Sequence, residues 1–204
     1  MSILSAFGAI FKRCALAISR RRTVAGITVW HLLPTDPEGS QEFGTTAAAI
    51  QLIHQADPRR FAQMKRDLRG IWIIGVSTRG EYDHSLRMCK VDSSFLLRPD
   101  ITVEDVAATL VHESTHARLA RYGLGYAPAI RPRLERLCLN AEIAFAAHLP
   151  NGSTVVANAE RLLTRLHDAW TDEAMMSYTV RRLRALDAPE WLVRWLQKRR
   201  TPAA

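Results

Sequence analysis

Apolar residues fall at helical spacing near the start of the chain. Ile3, Leu4, Phe7, Ile10, Phe11, Cys14 and Ile18 share one stripe, and Lys12 and Arg13 lie off it. The spacing predicts an amphipathic helix over residues 3–18, docked on the domain or on a partner. The same stripe beside cations also suits an anionic membrane surface. Residues 24–33 (VAGITVWHLL) read as a strand closed by Pro34, followed by a loop rich in Pro, Asp, Gly and Ser. Residues 45–56 read as a helix. Asp57-Pro58 restarts a helix in cap-then-proline order, running to about Leu68 and ended by Gly70.

Ile71 to Val76 reads as a short strand, Ser77 to Asp83 as a polar turn around Gly80, and about His84 to Val91 as a second strand. After Pro99 the pattern is helical to the end. Thr102 caps a helix that runs to about Tyr122, with Asp105 as a capping-box variant and Gly123 and Gly125 stopping it. A further helix covers about Pro132 to Leu149, stopped by Pro150-Asn151-Gly152. Two or three more follow, with Thr154, Thr171 and Asp187 as caps. The pattern predicts an α+β, helix-rich single domain over 23–204, with a small antiparallel sheet in its first half. The amphipathic helix precedes it within residues 1–22.

Composition bounds this picture. The 204 residues are 48% apolar and 24% charged, enough to bury one real core. The net charge of +8, mostly arginine, favours acidic partners or serves solubility alone. The basic residues are spread along the chain apart from Arg20-Arg21-Arg22 and Lys198-Arg199-Arg200, and no zinc finger or aromatic single-strand platform points to nucleic acid. Three cysteines, Cys14, Cys89 and Cys138, form no CxxC pair and no disulfide framework. They fit a reducing, cytoplasmic setting. No apolar run reaches the roughly 18 residues of a spanning helix. The N-terminus is apolar before it is charged, the reverse of a secretory signal, and Ser19-Arg20-Arg21 has no small-residue cleavage site after it.

The chemistry is concentrated at His112-Glu113-Ser114-Thr115-His116. Two histidines four apart on a helix project from one face, so both imidazoles can reach one ion at about 2.0–2.1 Å. Glu113 lies about 100° round the helix. It cannot ligate the same ion easily, but it can take a proton from water bound there, whose pKa zinc lowers to about 7. Thr109, Leu110, Val111, Ser114, Thr115 and Ala117 around the pair are uncharged.

On these residues the chain resembles the HExxH zinc metallopeptidases, and in particular the gluzincin type. The resemblance covers about residues 100–150 and implies a zincin-like helix–loop–helix site with zinc as cofactor. It implies a zinc-bound water activated by Glu113 and a third zinc ligand from a Glu on the next helix. Glu135 stands with eighteen residues between it and His116, the spacing that the resemblance favours. Arg118 departs from the hydrophobic residue usual at its position.

Glu142 rivals Glu135. The two share a helical face about 10.5 Å apart along the axis, so one ion cannot take both. A helix starting at Pro128 places Glu135 level with the histidines. One starting at Arg131 places that level between Cys138 and Glu142. The carboxylate left over would orient His112 through its other ring nitrogen. Cys138 lies on the same face and reads as a small core residue, although thiolate is a good zinc ligand. His31, His54, His84, His148 and His167 have no partner at ligand spacing and read as structural or surface groups. Tyr126, Tyr178 and His167 are candidate donors to a developing oxyanion.

The sequence thus predicts a zinc-dependent hydrolase, a metallopeptidase acting on a peptide or protein substrate. The strand at about 84–91, if exposed at a sheet edge, would align that substrate by main-chain hydrogen bonds. The alternative is a basic membrane- or nucleic-acid-associated interaction protein with a structural or incidental HExxH.

Overall fold

The computed structural model describes residues 12–32, 40–165, 172–185 and 188–200. It is helix-rich α+β with one five-stranded sheet. Residues 12–18 form a helical segment (α1). Strands β1 (Arg20–Val24) and β2 (Ile27–His31) come next, then helices α2 (Gln41–Ala56) and α3 (Pro58–Asp67). Strands β3 (Gly70–Ile74), β4 (Gly80–Asp83) and β5 (Met88–Asp92) complete the sheet, and a short helix α4 (Ser93–Leu96) follows. The rest is helical: α5 (Val103–Arg121), α6 (Arg131–Ala146), α7 (Ser153–Thr164), α8 (Asp172–Ala185) and α9 (Glu190–Arg200).

The sheet is mixed, not antiparallel as expected. Its order is β1-β2-β3-β5-β4. β2 and β5 both run parallel to β3, and only the outer pairs β1–β2 and β4–β5 are antiparallel. The cause is the connection: two helices, α2 and α3, return the chain between β2 and β3, as a parallel pair requires. The single strand expected at 24–33 is a hairpin that begins at Arg20. It turns at Ala25 and Gly26, whose φ values of 49° and 82° are the left-handed pair of a two-residue hairpin turn. β1 carries Arg20-Arg21-Arg22 along a sheet edge, where like charge discourages pairing with another chain.

Strand alternation sorts the residues into two cores. Ile27, Val29, Ile71, Ile73, Cys89 and Val91 face α2, α3 and α5, with Ile50, Ile53, Met64, Leu110 and Val111 among the buried partners. Trp72 and Met88 point the other way and meet Ala15 and Leu16 of α1. Lys12 and Ser19 add an ion pair to Asp83 at 2.7 Å and a hydroxyl that accepts from Trp72 Nε1 at 3.1 Å. Of the stripe expected on this helix, the described members Cys14 and Ile18 are exposed and do not dock it on the sheet. Residues 3–11 of that stripe lie outside the described residues, as do Thr171 and Asp187.

Both ends of α5 are set by local sequence. Thr102 and Asp105 form a reciprocal capping box. At the other end Gly123 has φ 80°, its N–H bonds Ala120 O at 3.0 Å, and Leu124 N–H bonds Leu119 O at 3.0 Å. That is the paired hydrogen bonding of a Schellman stop, which needs glycine at the left-handed position. α7 is capped at Gly152, not at Thr154. Gly152 packs so tightly on Ala146 that a Cβ there would lie 1.8 Å from its carbonyl oxygen.

Candidate metal centre

α5 and α6 lie against each other, and the facing sides carry His112 and His116 on one helix and Glu135, Cys138 and Glu142 on the other. Glu135 reaches both imidazoles: its Oε2 is 3.2 Å from His112 Nε2 and its Oε1 is 3.4 Å from His116 Nε2. Glu142 takes the opposite edge of His112, with Oε2 3.1 Å from Nδ1. Glu135 therefore faces both imidazoles, and Glu142 the far edge of His112.

Counting from the helix start alone does not give the level of the histidines. α6 begins at Arg131, which would have placed the histidines between Cys138 and Glu142. Helical hydrogen bonding reaches further back, however: Arg131 N–H bonds Ala127 O at 3.0 Å, and Leu134 N–H bonds Ile130 O at 3.0 Å. The chain descends from Ala127, so Glu135 arrives where a start at Pro128 would put it.

The cluster gathers buried carboxylates around two imidazoles. Glu113, Glu135 and Glu142 are all buried. Burial alone would depress the His112 pKa, but Glu135 and Glu142 push it up to about 10. Burial acts to raise the Glu135 pKa, and the two histidines overcome it and hold the carboxyl well below its usual range. Glu135 is 1% exposed, and its Oε2 has no hydrogen-bond partner despite its nearness to His112. A buried, unsatisfied carboxylate oxygen beside two imidazole nitrogens fits an ion between them better than direct bonds among them.

Glu113 is placed differently. It is buried, and burial raises its pKa, opposed by His112 and His116. Strand β4 approaches it closely: a Cβ on Gly80 would lie 2.8 Å from Thr109 Cγ2 and 3.0 Å from Glu113 Cγ. Glycine there lets an edge strand pass over the motif helix. The edge strand is β4, not the segment 84–91 expected for that role; its C-terminal half is in β5, an interior strand.

Tyr126 lies beside the site. Its hydroxyl donates to Glu135 Oε1, and its ring centroid is 5.4 Å from that of His116. Burial and the charge of Glu135 raise its pKa. His84, read from sequence as structural, sits on the turn after β4 with its ring centroid 4.7 Å from that of Tyr82. It is exposed, in keeping with a surface group, and burial first, and then His116, lower its pKa. His167 and the Tyr178 side chain lie outside the described residues. Arg118, the departure from the family pattern, is exposed and donates to Gln63 at 3.1 Å, away from the site.

No protein family, curated protein or solved structure matches this chain. Function must therefore be argued from the residues and their geometry.

Proposed function

We propose that the chain is a zinc-dependent hydrolase, a metallopeptidase of the gluzincin type with a zincin-like helix–loop–helix site. One observation carries the reading: a single buried carboxylate, Glu135, lies within 3.4 Å of the Nε2 atoms of both motif histidines. His112, His116 and Glu135 would hold the ion, and zinc bound there supplies Lewis acidity and an acidified water. Glu142 fixes His112 with Nε2 facing inward and raises its basicity.

Glu113 is the general base. Burial raises its pKa, which makes the carboxylate a stronger base for a metal-bound water. Among the described residues β4 is an edge strand paired with β5 alone, and its place beside Glu113 favours an extended polypeptide substrate. Tyr126, with its hydroxyl at Glu135, is the described candidate for steadying a developing oxyanion. Among the described residues no helix is long and apolar enough to cross a membrane.

The test is metal content followed by hydrolysis. Purified protein is expected to carry about one zinc per chain, as a three-ligand catalytic site requires. His112→Ala and His116→Ala should each abolish stoichiometric binding. Glu113→Gln should keep the zinc and lose cleavage of casein or a peptide library, because an amide cannot accept the proton. Zinc-loaded protein whose Glu113→Gln variant is as active as wild type would defeat the peptidase reading. It would leave the alternative of an interaction protein with a structural metal.

A further inference from the structure

We propose that Cys138 is an additional protein donor to the ion, a reading that rests on the zinc site proposed above. Its sulfur lies on α6 one turn beyond Glu135, and the donor atoms of His112, His116 and Cys138 all lie within 4.8 Å of one another. Tetrahedral zinc with nitrogen at about 2.0–2.1 Å and sulfur at about 2.3 Å places its donors roughly 3.3–3.6 Å apart. Small rotamer adjustments about one ion close the difference.

Two further observations separate this from a cysteine that only fills space. Cys138 is fully buried, yet among the described residues it belongs to none of the apolar clusters, whereas Cys89 sits in the main one. The other is Glu135 Oε2, buried and without a hydrogen-bond partner, which lies 3.2 Å from Nε2 of His112, one of the two imidazoles that Cys138 approaches. Thiol and two imidazoles thus converge from two helices.

On binding, the thiol would give its proton to solvent as sulfur bonds the ion. The thiolate would then compete with water beside His112, His116 and Glu135, so Cys138 would restrain the proposed hydrolase without closing its centre.

The full chain loaded with Co2+ in place of zinc, under reductant, tests this. Wild type is expected to show the visible bands of four-coordinate cobalt together with a near-ultraviolet thiolate-to-cobalt charge-transfer band. Cys138→Ala should lose the charge-transfer band and keep visible bands. X-ray absorption of zinc-loaded wild type, which needs no variant to fold, should show a sulfur neighbour at about 2.3 Å. Visible bands without charge transfer in wild type, and no sulfur neighbour, would overturn the role of Cys138 and leave the His112, His116, Glu135 site standing. A charge-transfer band that persists in Cys138→Ala would assign the sulfur to Cys14 or Cys89 and overturn it equally. Failure of wild type to bind either metal would overturn the underlying zinc reading itself.

Discussion

Glu142 Oε2 lies 3.1 Å from His112 Nδ1, on the edge of the ring opposite Glu135. The relationship separates two carboxylates that share one helical face. A carboxylate that bonds the ion directly offsets part of its charge, whereas one that holds an imidazole costs about 10–100-fold in affinity or activity when removed. Glu135→Ala is therefore expected to lose zinc on dialysis against a weak chelator. Glu142→Ala should retain zinc under the same dialysis, with activity lowered by about 10–100-fold. Metal analysis after dialysis checks both, and the reverse order would transfer the ligand role to Glu142.

Gly80 supplies a second measurement. A side chain there would press on Thr109 and Glu113. Gly80→Ala should shift β4 or Glu113 and cost about 1–3 kcal/mol of stability, the usual toll of overpacking. Zinc content should be unchanged, since neither contact involves a histidine. Displacing the base relative to the ion should lower kcat/KM by roughly 10–100-fold, because small misplacements of reacting groups are costly. A variant with wild-type kcat/KM would show that β4 does not position Glu113.

What was legible in the sequence follows from what is local. The caps of α5 are contacts within five residues, side chain to backbone at Thr102 and Asp105 and backbone to backbone around Gly123, so all three could be read directly. So could the two histidines, whose common face is a property of one helix. The parallel pairing of β2 with β3 was not legible, because it joins strands separated by two helices. The hairpin at Ala25-Gly26 was missed because alanine at positive φ carries no turn signal. The docked face of α1 was misread because hydrophobic spacing favoured Cys14 and Ile18, while the small Ala15 fits against Trp72 and lets Leu16 in.

That misreading has a consequence for membranes. Leu16 is buried under the sheet, and Leu16→Ala should cost about 2 kcal/mol in chemical denaturation, the low end for a peripheral core site. Ile18 is 66% exposed and lies near Arg20, Arg21 and Arg22 in sequence. If the outer stripe meets anionic lipid, the protein should sediment with anionic liposomes and be partly released by salt. Ile18→Asp should then weaken sedimentation without altering thermal stability or zinc content. Equal sedimentation of wild type and Ile18→Asp would remove this stripe as the contact.

Asp83 ties α1 to the hairpin that carries His84, and its ionisation should be visible in acid stability. Its Oδ2 pairs with Lys12 at 2.7 Å and Lys90 at 3.1 Å, and its Oδ1 accepts from Ser85 N–H, Ser85 O–H and Leu86 N–H. Burial by itself would raise the pKa of this carboxyl. Lys12, Ser85 and Lys90 outweigh burial and hold it well below its usual value. A carboxyl whose folded pKa is depressed stabilises the fold above its unfolded pKa of about 4, and that stabilisation fades as pH falls towards the folded value. Asp83→Asn removes the charge at every pH and leaves Lys90 with Glu81 alone. The variant should be less stable than wild type at pH 7, by about 3 kcal/mol for a broken buried pair. Below pH 4 the difference should shrink, because the unfolded wild-type chain takes up a proton on Asp83 that the folded state still excludes. Urea denaturation of both proteins at pH 7 and at pH 3 measures this. A gap that stayed constant would mean that the hydrogen bonds of the turn, and not the charge, hold α1 and the hairpin together.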